Sequence, residues 1–215
     1  MLFRPIFLMR GAFIPAVAAS AALLLLSGCN KAPVATAPVT SAGNASSSTA
    51  VTVKAVAAEG VGFSVGSSMA AHTVYVFFDP QCPHCTELWK AARPLTSKAR
   101  FVWMPVGLLN DKSRTQGAAL LAASDPVAAM NAHETSMQEK NGGIAGIAAG
   151  PAADKQLAAV ATNTALLTRM GFASIPTVVA THAQTGALVT HEGSMSTAAL
   201  ATLLGLPPPV AGQGS

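Results

Sequence analysis

Two cysteines three residues apart, Cys82 and Cys85, lie between an apolar run at 74–78 and a helix-like stretch. The run Val-Tyr-Val-Phe-Phe is typical of a buried strand, and leucine, tryptophan and alanine at helical spacing follow the cysteines. A pair at such a junction can close a disulfide across one helical turn. The first thiol then lies at the helix N-terminus, where free N–H groups and the helix dipole favour a thiolate. The sequence therefore predicts thiol–disulfide exchange.

A structural disulfide, a zinc site and two inert cysteines are the other interpretations of this pair. A cross-link that closes about four residues stabilises a fold by only roughly 2 kcal/mol, so this spacing is poorly suited to a structural staple. Structural zinc requires four ligands, and there is no second cysteine pair. The other histidines show no ligand spacing, and we expect the last three at the surface: His72, His133, His182 and His191. The pattern favours exchange, with no metal and no cofactor.

The order of residues in the motif predicts their roles in catalysis. Cys82 is the exposed nucleophile whose thiolate attacks a substrate disulfide, and Cys85 is the more buried thiol that resolves the mixed disulfide. Pro83 and His84 lie between them. A histidine here can place an N–H group or a positive charge near the Cys82 sulfur, which lowers the thiol pKa and makes the pair more oxidising. The alternative for His84 is an exposed side chain without a role.

The N-terminus has the features of a secretion signal. Arg4 and Arg10 supply positive charge, and the segment 13–26 is apolar but short for a membrane span. It ends in Leu-Ser-Gly-Cys at Cys29, a pattern typical of bacterial lipoprotein signals. We therefore expect residues 1–28 to be removed and Cys29 to carry a lipid. A plain secretion signal with an incidental cysteine is the alternative.

Composition predicts the organisation of the rest of the chain. Residues 29–56 are rich in Ala, Ser, Thr and Pro and form the expected flexible tether; 57–206 form the catalytic domain and 207–215 a disordered tail. Removing the signal takes away two of the 13 basic residues and none of the nine acidic ones, which lowers the formal net charge from +4 to +2. That charge is too small to indicate nucleic-acid binding.

Hydrophobic periodicity and helix start signals predict an alternating order of elements. The predicted strands are 72–78, 100–106, 176–181 and 187–191, and the predicted helices are 83–99, 111–123, 126–140, 152–170 and 195–204. Pro94 should kink the first helix, and Asp125 followed by Pro126 is a start signal for the third. This order predicts an α/β domain with a thioredoxin-like fold and an inserted helical subdomain.

The motif and its surroundings resemble a known family. Residues 77–85, Phe-Phe-Asp-Pro-Gln-Cys-Pro-His-Cys, are similar to the active-site segment of the periplasmic thiol:disulfide interchange proteins of the DsbC/DsbG type, with DsbG the closer. The similarity continues in Trp89, 92–94, 106–108 and 118–126, and covers about residues 62–205. The Pro-His dipeptide departs from it, because it is the dipeptide of the DsbA oxidases.

The resemblance implies a second half of the site. Ser-Ile-Pro-Thr at 174–177 matches the family's cis-proline loop, so Ile175 and Pro176 are expected to bind an extended substrate chain. Ile175 stands where DsbC and DsbG have threonine. The N-terminal dimerisation domain of that family has no counterpart between Cys29 and the catalytic domain, so we expect a monomer, and isomerase activity is not implied.

These observations predict a lipid-anchored periplasmic thiol:disulfide oxidoreductase. Its expected partners are cysteine-containing periplasmic proteins and a membrane thiol-redox protein, either DsbD-like or DsbB-like. Asn30, after the lipidated cysteine, favours the outer membrane. The direction of electron flow stays open, since DsbG resemblance suggests a reductase and the Pro-His dipeptide an oxidase. A non-catalytic chaperone or metallochaperone that kept the fold is the alternative function.

Overall fold

The computed structural model describes residues 50–208. The predicted signal peptide, Cys29, most of the predicted tether and residues 209–215 of the predicted tail lie outside them. Within the described residues, none of the helices combines the length and the apolar character needed to cross a lipid bilayer.

Six helices and five strands make up the described part of the chain. In chain order they are α1 (Val53–Glu59), β1 (Phe63–Val65), β2 (Thr73–Phe78), α2 (Pro83–Ala92), β3 (Arg100–Pro105), α3 (Asp111–Ala122), α4 (Pro126–Gln138), α5 (Pro151–Arg169), β4 (Thr177–Thr181), β5 (Leu188–Glu192) and α6 (Thr197–Leu204). The strands form one mixed sheet in the order β1-β3-β2-β4-β5. Only β2 and β3 pair in parallel, and both end at the edge where the cysteines lie. The predicted α/β class is confirmed.

The sheet has a hydrophobic cluster on each face. On β2, Val76 and Phe78 belong to the cluster that packs against α2 and α6, whereas Phe77 belongs to the cluster that packs against α1 and α5. All three side chains are fully buried. Since alternate residues of a strand point to opposite faces, β2 is buried on both sides, as its uninterrupted apolar run predicted. Burying each large apolar side chain contributes about 1.5–3 kcal/mol, so β2 gives the site a rigid base.

Proline ends α2 earlier than predicted. The helix stops at Ala92, and a 3-10 turn at Arg93–Leu95 contains Pro94. Proline lacks the N–H group that an α-helix needs and its ring collides with the preceding turn, so the chain does not continue as helix to residue 99. The shortened α2 still buries Leu88 and Trp89.

The first two elements were not predicted. Thr52 caps α1 by accepting a hydrogen bond from Ala55 N, and Val56 of this helix is fully buried. The helix crosses the predicted domain boundary at residue 57. Strand β1 pairs with β3 along three residues and places Phe63 in the core. Both elements are short, so neither shows a clear period in the sequence.

The inserted helices α3, α4 and α5 lie between β3 and β4 in the chain. Asp125 caps α4 as predicted, because its carboxylate accepts hydrogen bonds from the N–H groups of Val127 and Ala128 at 3.1 and 3.0 Å. Asn110 and Ser113 form a capping box at the start of α3 that the sequence did not reveal. These caps fix where the first two helices of the insert begin.

Candidate active site

The two cysteines lie at the start of α2, directly after β2. Cys82 is the N-cap residue and Pro83 occupies the first turn, where its missing N–H group costs nothing. The N–H of Cys85 donates to the carbonyl of Cys82 at 3.1 Å. Both side chains are free thiols in this structure. The predicted junction of strand, redox pair and helix is therefore present.

Cys82 has the chemical properties of a nucleophile. The pKa of Cys82 is lowered from 9.0 to about 6, and the largest cause is a hydrogen bond from the Cys85 thiol. Burial opposes this shift, whereas the backbone N–H groups of Cys85 and His84 and the charge of His84 add to it. A thiol with this pKa is mostly ionised at neutral pH. The prediction of an exposed thiol is wrong, because Cys82 is only 6% exposed. Its sulfur lies under the loop that contains Ile175.

Cys85 differs sharply from its neighbour. It is almost completely buried, and burial, together with the Cys82 thiolate, raises its pKa well above the ordinary value. At neutral pH Cys85 is thus protonated and can donate a hydrogen bond to an ionised Cys82. The pair holds one proton and one negative charge, which is the arrangement that the predicted roles require.

His84 is exposed, and its Nδ1 atom lies 3.1 Å from Glu87 Oε2. The hydrogen bond and the negative charge of Glu87 raise the pKa of His84, which favours the imidazolium. The backbone N–H of His84 and the charge of its ring both lower the pKa of Cys82. His84 thus sits where the predicted electrostatic effect on the thiol can operate.

The proline loop faces the nucleophile across the site. The Ile175–Pro176 peptide bond is cis, as predicted. The Cys82 sulfur lies 3.8 Å from the carbonyl oxygen of Ile175, to which the protonated form of Cys82 can donate its S–H. The structure therefore brings together the four motif residues and the two loop residues that the sequence singled out, while Cys29 lies outside the described part of the chain.

Asp79 is a site residue that the sequence did not reveal. It is fully buried, and its two carboxylate oxygens accept three backbone hydrogen bonds. The donors are Gln81 N at 2.8 Å, Leu108 N at 2.8 Å and Leu109 N at 3.0 Å. The carboxylate therefore fixes the turn that enters the redox helix to the loop that leaves β3.

His133 fastens the same turn to the inserted helix α4. It is fully buried, so the expectation of a surface histidine is wrong. Its Nδ1 accepts the N–H of Ile144 at 3.3 Å, which leaves Nε2 to donate to the carbonyl of Pro80 at 2.7 Å. Burial lowers the pKa of His133 and keeps the ring neutral. Gly143 allows this contact: its φ is +88°, and a Cβ there would lie 2.4 Å from the His133 ring.

A second polar contact between the turn and the insert runs through two glutamines. Gln81 donates to Gln116 Oε1 at 2.6 Å, and Gln116 donates to the carbonyls of Gly142 and Ile144 at 2.8 and 2.7 Å. Gln116 is buried, so these hydrogen bonds are shielded from water. The helical insert is therefore part of the framework that holds the redox motif.

Comparisons with known proteins agree with this geometry. The sequence profile described as "Thioredoxin" matches residues 59–198, which is more than half of the chain. The chain belongs to the thioredoxin family. The predicted thioredoxin-like fold is thereby confirmed. The described residues contain no group of three or more His, Cys, Asp or Glu side chains that could hold a metal ion.

Two relatives within the thioredoxin family carry the same name. The chain is 36% identical over 143 residues to the thiol:disulfide interchange protein DsbG of Pseudomonas aeruginosa, over 65% of this chain and 54% of that protein. It is 37% identical over 73 residues to the protein of that name from Escherichia coli, over 33% of this chain and 29% of that protein. The chain thus spans about half the length of the first relative and less of the second. The predicted resemblance to the DsbG type is confirmed.

Solved structures show the same thioredoxin fold. The catalytic domain of Proteus mirabilis ScsC superposes with a TM-score of 0.54 at 18% identity, covering 71% of this chain and 96% of that one. Pseudomonas aeruginosa DsbA2 gives a TM-score of 0.54 at 19% identity, covering 66% and 91%. At these identities the likeness concerns the fold alone.

Glu134 adds a buried carboxyl group to this thioredoxin site. It is 4% exposed, and within the described residues its Oε2 atom has no hydrogen-bond partner. Burial raises the pKa of Glu134, the Cys82 charge raises it further, and a hydrogen bond with Thr86 and the charge of Lys90 lower it. The sequence did not reveal this residue, because an isolated glutamate on a helix is usually solvated.

Replacing Glu134 with glutamine is expected to stabilise the protein increasingly as pH rises. The folded-state pKa of this carboxyl is raised, so its favourable contribution is complete below the unfolded pKa and is lost as pH rises through the folded pKa. Between about pH 5 and pH 8, the free energy of unfolding of Glu134→Gln should move by about 1 kcal/mol relative to wild type, in the variant's favour. Denaturant melts of the oxidised protein measure this without interference from the Cys82 thiol. The exposed Glu139→Gln provides the matched control, and parallel pH profiles for both variants would contradict the prediction.

Proposed function

We propose that the protein is a thiol:disulfide oxidoreductase that exchanges disulfides with cysteine-containing proteins through Cys82 and Cys85. The observation that carries the proposal is the opposite ionisation of the two thiols: the pKa of Cys82 is lowered to about 6, whereas the pKa of Cys85 is raised. An inert or merely structural pair has no need of this asymmetry. The loop of Ile175 and Pro176 faces the reactive sulfur and offers a backbone edge to an extended substrate.

The asymmetry supports transfer of the disulfide from the protein to its substrate. A substrate thiolate attacks the Cys82 sulfur of the oxidised pair, and Cys85 leaves and takes up a proton. A second substrate thiolate attacks the substrate sulfur of the mixed disulfide and releases Cys82 as a thiolate. The substrate loses two electrons and the pair gains them. The second step is favourable because Cys82, with its lowered pKa, is a good leaving group and is stable as the released thiolate.

Location and partners form the less direct part of the proposal. One solved structure that shares the fold is described as a periplasmic thioredoxin-like protein from Salmonella enterica. The two relatives named DsbG are described as thiol:disulfide interchange proteins. We infer that this chain works in the periplasm as a monomer, anchored to the outer membrane by a lipid on Cys29 and joined to it by a tether that ends before α1 begins at Val53. A membrane thiol-redox partner, DsbB-like for the oxidising direction, would restore the disulfide. Mass spectrometry of the N-terminal peptide from cells tests the lipid, and an unmodified Cys29 would refute it.

The experiment for the main proposal mixes the oxidised protein with a reduced two-cysteine peptide in the absence of oxygen. We expect one peptide disulfide for each protein molecule, with the Cys82 and Cys85 thiols appearing together. Equilibration with glutathione should give a reduction potential nearer to about −120 mV than to about −270 mV. A protein that leaves the peptide reduced, yet binds copper or zinc stoichiometrically, would support the metallochaperone alternative instead.

A further inference from the structure

A chain of hydrogen bonds joins the redox helix to the segment that follows β5. Glu87 lies three residues after His84, on the same face of α2. Its Oε2 atom is 3.1 Å from His84 Nδ1 and accepts a second hydrogen bond from Ser194 Oγ at 2.6 Å. One carboxylate oxygen therefore contacts the histidine of the redox motif and a residue 107 positions away in the chain.

The residues just before Ser194 hold the proline loop. The carboxylate of Glu192 accepts hydrogen bonds from the N–H groups of Ala173 and Ser174 at 2.9 and 2.7 Å and from the Ser174 hydroxyl at 3.0 Å. The next residue, Gly193, donates its N–H to the carbonyl of Pro176 at 2.7 Å. The segment 192–194 thus connects the two halves of the site. Glu192 and Gly193 bind the proline loop, and Ser194 binds Glu87 of the redox helix.

We propose that Glu87 is a positioning residue for the exchange reaction. It holds His84 beside the redox pair, and its hydrogen bond with Ser194 connects it to the segment that binds the proline loop. This inference rests on the proposed function. The contacts form a closed ring, because the Cys82 sulfur already lies against the carbonyl of Ile175 at 3.8 Å. A movement of the histidine or of the loop relative to the reactive sulfur would therefore break a contact of this ring.

The charge of Glu87 gives the contact a chemical consequence. His84 is exposed, and without a partner its side chain would sample many rotamers and lose its proton near neutral pH. The hydrogen bond and charge of Glu87 raise the pKa of His84, while the Cys82 charge adds to the effect. The imidazolium form that this shift favours stabilises the thiolate of Cys82 and so favours the reduced form of the pair. Lys90 and Ser194 are the other groups that act on Glu87 and hold it ionised.

The test replaces Glu87 with glutamine in the full chain, which removes the charge and keeps an oxygen that can accept from Ser194. We expect the glutathione equilibrium to shift about twofold to threefold toward the oxidised protein, as for loss of one exposed charge contact. Alkylation of Cys82 at about pH 6, where half of it is ionised, should slow by about 1.5-fold to twofold, because the ionised fraction falls from one half to between one third and one quarter. Glu59→Gln is the matched control, because Glu59 is also an exposed carboxylate in an ion pair, with Arg169, and it lies in α1.

A double-mutant cycle with His84→Gln separates positioning from a general effect of charge. If Glu87 acts through the histidine, Glu87→Gln changes neither the equilibrium nor the alkylation rate once His84 is absent. An undiminished shift in the His84→Gln background, or no shift in the single variant, would overturn the inference. Wild-type exchange with the peptide would still occur in either case, so failure of this inference is distinct from failure of the proposed function.

Discussion

Replacing Cys85 with serine is expected to convert the protein into a trap that accumulates a mixed disulfide with its substrate. The Cys82 thiolate can still attack a substrate disulfide, since serine keeps an O–H donor where the Cys85 thiol hydrogen-bonds Cys82. No thiol remains to resolve the product, so steady-state reduction of a protein disulfide should fall by about 100-fold or more. Mass spectrometry under non-reducing conditions measures the adduct directly.

Two further variants make this prediction specific. Cys82→Ser should form no adduct, because the buried Cys85 has a raised pKa and is protonated at neutral pH. Cys85→Ala should form the adduct more slowly than Cys85→Ser, since the hydrogen bond from residue 85 is the largest cause of the lowered pKa of Cys82. Multiple turnovers by Cys85→Ser, or an adduct on Cys85 in Cys82→Ser, would show that the roles of the two cysteines are wrongly assigned.

The sequence was informative where local chemistry determines structure. A β-branched and aromatic run followed by two cysteines at helical spacing specified β2, the redox motif and the start of α2. Asp125 and Pro126 specified the start of α4, because a helix cap depends on neighbouring residues alone. The proline loop was identified only through resemblance to a family, since Ile175 meets Cys82 across 93 positions of the chain.

The rest of the site depends on contacts between residues that are far apart in the sequence. Asp79 contacts Leu108 and Leu109 because β2 and β3 are parallel and end side by side, and a polar residue after a strand is ordinarily expected in solvent. His133 is buried where α4 contacts the turn before Cys82, and Glu134 is buried where the same helix faces Thr86 of α2. Helix α4 lacks a clear apolar face, so its periodicity could not indicate which polar residues turn inward.

Replacing Asp79 with alanine is expected to destabilise the protein by about 3–5 kcal/mol, because three backbone N–H groups lose a charged acceptor at a buried position. A fully buried donor left without a partner costs about 1–3 kcal/mol. These three donors are only partly buried, so each should cost about 1 kcal/mol, and the small cavity adds to the loss. The turn before Cys82 and the loop at 107–110 should also separate, so exchange activity should fall in the fraction that stays folded. Urea denaturation of the oxidised protein gives the free energy of unfolding.

Asp125→Ala is the matched control for burial, because Asp125 also accepts two backbone hydrogen bonds but is exposed at the start of α4. Its loss should cost about 1 kcal/mol, since water can replace the carboxylate at an exposed helix cap. Asp79→Asn keeps one acceptor oxygen and places an N–H₂ group against the remaining donors, so its stability should lie between those of wild type and Asp79→Ala. If Asp79→Ala and Asp125→Ala lose the same amount, the buried carboxylate does not hold the redox turn in place, and the rigidity of the Cys82 site must come from the His133 and Gln116 contacts to the insert instead.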